Sequence, residues 1–137
     1  MSEKLIKELE EFLLPYALER YNISDHPFGD LVKTIMGEAV ERLNQYITWL
    51  VRAFIRCILS TEKGIYLKDI TTVMMAEAYN MMNFTPVRNI HTPKLENLAG
   101  SKILLEGEVH HWLLELQEQE MLPGYYDRFM GYYISNS

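Results

Sequence analysis

The sequence predicts an all-α fold: a long central helix flanked by shorter helices, followed by a C-terminal helical extension. Three observations predict it. Apolar residues recur at spacings of three and four over several separate stretches, the period of a helix with one buried face. The longest of these, Gly29 to Ser60, contains no proline. No stretch alternates convincingly in the two-residue period of a half-buried strand. At 137 residues the chain suits a single domain. A helical core spans 1–99, with a loop or arm at 83–99, and a C-terminal helix and aromatic tail span 100–137.

In the first helix, Ser2 is suited to cap the N-terminus, and Glu3 places a carboxylate where the helix dipole favours it. Leu5, Ile6, Leu9, Phe12 and Leu13 give it one apolar face, and Pro15 is expected to end or kink it. Tyr21 to Phe28 reads as a loop broken by Asp25, His26 and Pro27. The long segment that follows carries a stripe of Val32, Met36, Val40, Leu43, Ile47, Leu50, Phe54 and Ile58, with Gly37 as a point of division. In its second half, Tyr46, Trp49, Val51, Ile55 and Leu59 fill other faces, leaving Thr48, Arg52 and Arg56 as a polar line. Thr61 to Gly64 end this helix, with Gly64 suited to a left-handed cap.

Ile65 to Leu67 reads as a short extended link. A third helix opens at Lys68 or Asp69 and carries Ile70, Val73, Met74, Ala78 and Met81 on one side. Residues 83–100, with two prolines, read as a loop or arm. A fourth helix begins at Ser101 or Gly107 and runs to about Met121, with Val109, Trp112, Leu113 and Leu116 on its face. Pro123-Gly124 is a turn, and Tyr125, Tyr126, Phe129, Tyr132 and Tyr133 follow at helical spacing.

Composition narrows the function classes. The chain is 48% hydrophobic and 23% charged, too apolar for a disordered chain. Thirteen basic against nineteen acidic residues give a net charge of −6, which argues against direct binding to nucleic acid or to an anionic membrane. The charge is uneven: −4 over 1–30, +2 over 31–99 and −4 over 100–137. One cysteine, Cys57, excludes an internal disulfide and a cysteine-based zinc site, and it reads as a small core residue. Met-Ser-Glu-Lys begins no signal peptide, and the most apolar window, Tyr46 to Leu59, is shorter than the roughly 20 residues of a membrane span. An intracellular compartment, cytoplasmic or nuclear, is the expectation.

Few constellations carry chemistry. Glu108 and His111 have the Glu-x-x-His spacing of carboxylate-bridged metal sites, but such a site needs a second copy of that pair and further inward glutamates. Neither a nucleophile elbow nor a glycine-rich phosphate loop is present, and no cofactor is implied. Glu8, Glu10 and Glu11, like Glu115, Glu118 and Glu120, read as solvated helix faces. The eight methionines suit a core or an adaptable binding groove. Arg52 and Arg56, one turn apart on an apolar helix, are expected to pair with carboxylates of a neighbouring helix.

The segment Ile65-Tyr66-Leu67-Lys68-Asp69-Ile70-Thr71-Thr72-Val73-Met74 resembles the second loop and third helix of the histone-fold family, and Glu38 to Ile58 resembles its long second helix. The resemblance covers residues 20–82 and is greatest to histone-fold subunits of transcription-factor complexes. It implies a handshake dimer. Tyr66 stands where that family carries Thr or Ser, and Lys63 where it carries an arginine; its basic DNA-facing loops have no counterpart here.

A non-enzymatic dimerisation or scaffold protein is therefore expected, pairing with itself or a related helical chain and possessing further contacts within a larger complex. At about 25 cal/mol per Å², leaving Trp49, Val51 and Ile55 in water forfeits roughly several kcal/mol, against a whole-domain stability of about 5–15 kcal/mol. A partner is expected to cover Tyr46, Trp49, Leu50, Phe54 and Ile58. The alternatives are a monomeric helical adaptor or inhibitor of the viral or mobile-element type, docking through Tyr125, Tyr126, Phe129, Tyr132 and its acidic faces, and a carboxylate and histidine metal protein.

Overall fold

The computed structural model describes residues 3–21, 40–84 and 95–136. Among them are four helices and one small antiparallel sheet. Helix α1 (Glu3–Tyr21) is followed by α2 (Val40–Ser60), strand β1 (Gly64–Tyr66), α3 (Leu67–Phe84), α4 (Leu95–Glu118), and the hairpin strands β2 (Gly124–Asp127) and β3 (Tyr132–Ser135). The Ser2 cap, the loop at 22–28, the helix start at 29–39 with Gly37, and the arm at 85–94 lie outside the described residues.

The mostly helical class stands, and the absence of strands does not. Helix α1 runs through Pro15 without ending. Pro15 lies on its exposed side, where the carbonyl deprived of an N–H partner faces outward, while Leu9, Leu13 and Ala17 bury the opposite side. Helix α4 begins at Leu95, earlier than either expected start, and stops at Glu118. Its last turn closes through Met121 N–H to the Leu116 carbonyl, with Glu120 at a positive φ of 58°. Gly64 is a strand residue and not a left-handed cap; among the described residues the positive-φ glycine is Gly131, in the hairpin turn.

Helix α2 packs against α1 on one side and α3 on the other, with β3 behind it. The geometric premise drawn from its oily circumference fails here. Tyr46, Leu50, Val51, Phe54, Ile55 and Ile58 are all buried within one chain, and only Arg52 and Arg56 face out from this stretch. Three helices and a hairpin give more cover than three helices alone. Trp112 of α4 adds to it, meeting Phe54 edge-on with ring centres 5.5 Å apart. Of the residues expected at a partner's surface on this helix, only Trp49 keeps part of its side chain outside.

The tail folds as a hairpin. β3 lies between β1 and β2, so a strand separated from it by two helices becomes its neighbour. Ile65 pairs with Tyr133 and Tyr133 with Tyr126, and the next residue along each strand points to the opposite face. Leu67 N–H to the Gly131 carbonyl and Ser135 N–H to the Lys63 carbonyl, both 2.8 Å, close the two ends of the β1–β3 ladder.

Candidate docking surface

The two faces of the sheet have separate roles. Inward, Tyr126 and Tyr133 join the core beside half-buried Ile65. Outward stand Tyr66, Tyr125, Tyr132 and Ile134, continued at the hairpin tip by Phe129 and Met130. Phe129 is 91% exposed, Met130 64%, Tyr125 57%, Tyr66 45% and Ile134 44%. Five large apolar side chains are thus exposed across this face and at the tip, which makes them a candidate interaction site.

Contacts among its own residues hold the surface in shape. Tyr132 lies over Gly64, where any Cβ would collide with its ring, and packs against Tyr66 with ring centres 4.7 Å apart. An aromatic side chain laid across a strand glycine replaces the packing that the glycine lacks. At the tip, Asp127 Oδ1 accepts the N–H groups of Phe129 (3.0 Å) and Met130 (3.1 Å), which fixes the turn that carries both side chains. The Lys68 ammonium sits 5.9 Å from the Tyr66 ring centre and the Arg128 guanidinium 5.7 Å from that of Phe129.

Helix α4 anchors the hairpin. Gln117 Nε2 donates to the Tyr126 carbonyl (3.0 Å) while Tyr126 N–H donates to Gln117 Oε1 (2.7 Å). One side-chain amide thus occupies both outward backbone groups of Tyr126, as a further strand would. The Tyr126 hydroxyl lies 2.6 Å from His110 Nδ1. Burial, then His111 and Arg128, hold the His110 pKa below its ordinary value, and burial raises that of Tyr126. The Tyr133 hydroxyl is buried with no hydrogen-bond partner among the described residues, and burial pushes its pKa up to about 12.

Helix α4 is tied to α1 by a second polar anchor. Arg20 Nε donates to both oxygens of buried Glu108, and Trp112 Nε1 donates to Oε2 at 3.2 Å. The bond to Glu108 raises the Arg20 pKa. Glu108 is committed inward and His111 is exposed, so the Glu-x-x-His spacing does not converge on one point. Among the described residues no group of three or more His, Cys, Asp or Glu could hold a metal ion. Arg52 contacts Glu10 of α1 at 2.7 Å and Arg56 approaches Glu77 of α3 at 3.8 Å, at the rim of a shallow groove floored by Ile6, Trp49 and Ile55. Cys57 is buried; burial, then Glu77, push its thiol up to about 11, so it stays protonated at neutral pH.

Of the tail residues singled out from sequence, the structure puts Tyr125 and Tyr132 on the outer sheet face, Phe129 in the hairpin turn and Tyr126 in the core. Sequence reasoning missed Tyr66, Met130 and Ile134. Tyr-Tyr-Ile-Ser at 132–135 has no two-residue alternation of apolar and polar residues to mark a strand, and the aromatic spacing of the tail also fits a helix. No helix among the described residues is long and apolar enough to cross a membrane. No family model matches this chain, and neither a curated protein nor a solved structure does.

Proposed function

We propose that this chain is a non-enzymatic interaction module that docks protein through the outer face of its sheet and the tip of its hairpin. The observation that carries the reading is Phe129, a large apolar side chain held almost fully in water by a turn built to present it. A side chain kept there at the expense of solubility is explained by a partner that covers it.

The order helix, strand, helix, helix, hairpin over α2 to β3, with β3 central in the sheet, is that of a winged helix-turn-helix unit. In such a unit α4 takes the place of the groove-reading helix. Duplex DNA demands positive charge there. Helix α4 carries one base, Lys102, against five acids, Glu96, Glu106, Glu108, Glu115 and Glu118. Charge therefore favours protein over nucleic acid, and fold alone does not decide function. The histone-fold resemblance implies a handshake with a second chain. The present reading keeps the partner and moves the contact to the sheet, because β1 has its strand neighbour, β3, within the chain.

A photo-reactive benzoylphenylalanine in place of Phe129, introduced into the full chain in its native extract, is expected to form protein adducts that map to one partner surface. The same group at exposed Gln45 of α2 serves as the control. Equal labelling from both positions, or salt-sensitive retention of random duplex DNA by the wild-type chain, sinks the reading.

A further inference from the structure

We infer that the occupant of the outer sheet face is a second copy of this chain, docked face to face about a two-fold axis. This rests on the docking reading above and names its partner.

Area is the first argument. Tyr66, Tyr125, Phe129, Met130 and Ile134 leave roughly 600 Å² of side chain in water, taking about 200 Å² for each in full. A specific complex buries roughly 600–1,000 Å² per partner. These five residues reach the lower bound when all of that surface is covered, and Tyr132 with the polar rim adds to it.

Charge selects the partner. The segments that build the sheet and its rim, 62–69 and 124–135, carry Lys63, Lys68 and Arg128 against Glu62, Asp69 and Asp127, a sum of zero. The chain as a whole stands at −6. Two copies repel one another most through the acidic helices α1 and α4, and this neutral face is where they can meet without burying unbalanced charge. A basic partner would be drawn instead to the acidic helices α1 and α4. The rim also carries both signs side by side: Lys68 and Asp69 are neighbours at the start of α3, and Asp127 and Arg128 are neighbours at the hairpin tip, so a second copy meets no one-sided charge there.

Chemistry agrees. Tyr132, laid across Gly64, packs against Tyr66 with the two rings inclined at 56°, so aromatic side chains occupy the centre of the face. A copy of the chain supplies a surface of matched chemistry.

The test is the oligomeric state of the full chain by sedimentation across micromolar concentrations. A concentration-dependent dimer is expected. The double variant Phe129→Lys with Ile134→Lys sets like charges against each other across the axis and is expected to raise the dimer Kd by at least about 100-fold, with the helical circular dichroism unchanged. Should that variant fail to fold, Phe129→Lys alone gives the same readout, because Phe129 is 91% exposed and has almost no packing to lose. A wild-type chain that stays monomeric throughout, or a folded variant that dimerises as well as wild type, overturns the inference. If the chain is monomeric and the group at 129 captures a different protein, the second copy is wrong and the docking reading survives; if it captures no protein, both fall.

Discussion

The two faces of the small sheet are built from the same residue type and have opposite fates. Tyr126 and Tyr133 are sealed in the core, while Tyr125 and Tyr66, one residue away from an inward position on their own strands, stand in water. Composition cannot tell them apart; position along the pleat does. The inner face is bound by what surrounds it: Gln117 on the Tyr126 backbone and His110 on its hydroxyl. The outer face is held by contacts among its own residues, such as Tyr132 over Gly64, and by the Asp127 turn. The same aromatic chemistry therefore stabilises the fold on one side and is available to a partner on the other.

The sharpest way to break this contrast is truncation at adjacent positions. Tyr126→Ala is expected to cost about 3–5 kcal/mol by denaturant unfolding, since it empties a buried ring site and abandons His110. Tyr125→Ala is expected to stay within about 0.5 kcal/mol of wild type. Comparable losses at both positions would mean that the outer face also supports the fold.

The glycines repeat the comparison at smaller scale. A Cβ at Gly124 would strike the Ile134 backbone carbonyl and the buried Tyr133 ring, neither of which can yield easily, whereas at Gly64 it would strike only the outward Tyr132 ring. Gly124→Ala is expected to cost roughly 2–3 kcal/mol and Gly64→Ala about 1 kcal/mol, read as shifts in the unfolding midpoint.

Hydroxyl removal separates the two inner tyrosines. The Tyr133 hydroxyl has no partner among the described residues, so Tyr133→Phe is expected to gain up to about 1 kcal/mol. Tyr126→Phe forfeits the bond to His110 and is expected to lose about 1 kcal/mol. A Tyr133→Phe variant less stable than wild type would point to a partner for that hydroxyl.

The smallest expected effect is a pH dependence. His110 has its pKa held below 6.5 in the fold, so on acidification the unfolded chain takes up this proton first. Its contribution is complete above pH 6.5 and is lost as the pH falls below that value through the folded pKa. Thermal midpoints measured between about pH 7 and pH 5 are expected to fall less steeply for His110→Gln than for wild type. Parallel slopes would assign the acid sensitivity to other groups.

Much of the helical frame was legible because long apolar periods leave little choice: Leu9 and Leu13, Leu50 and Phe54, and Trp112 and Leu116 all fall on the buried side. The hairpin was not. Its strands are four residues each, too short for alternation to stand out, and Tyr125, Tyr126, Phe129, Tyr132 and Tyr133 mimic helical spacing. Its sheet also depends on pairing Ile65 with Tyr133 across nearly half the chain, which no local pattern announces. That omission produced the other error. Without the hairpin and the Phe54–Trp112 contact, α2 looked too apolar for one chain to cover. The candidate site was half visible: the tail aromatics drew attention, but which of them faced outward depended on the strands.

The clasp of Gln117 on Tyr126 bears on how large an assembly can grow. An open strand margin invites lateral addition without limit, the route to filaments. Here one glutamine occupies that margin at Tyr126, so no strand adds to β2 there while the clasp holds. The face-to-face pairing inferred above uses both surfaces at once and leaves none of that face for a further copy.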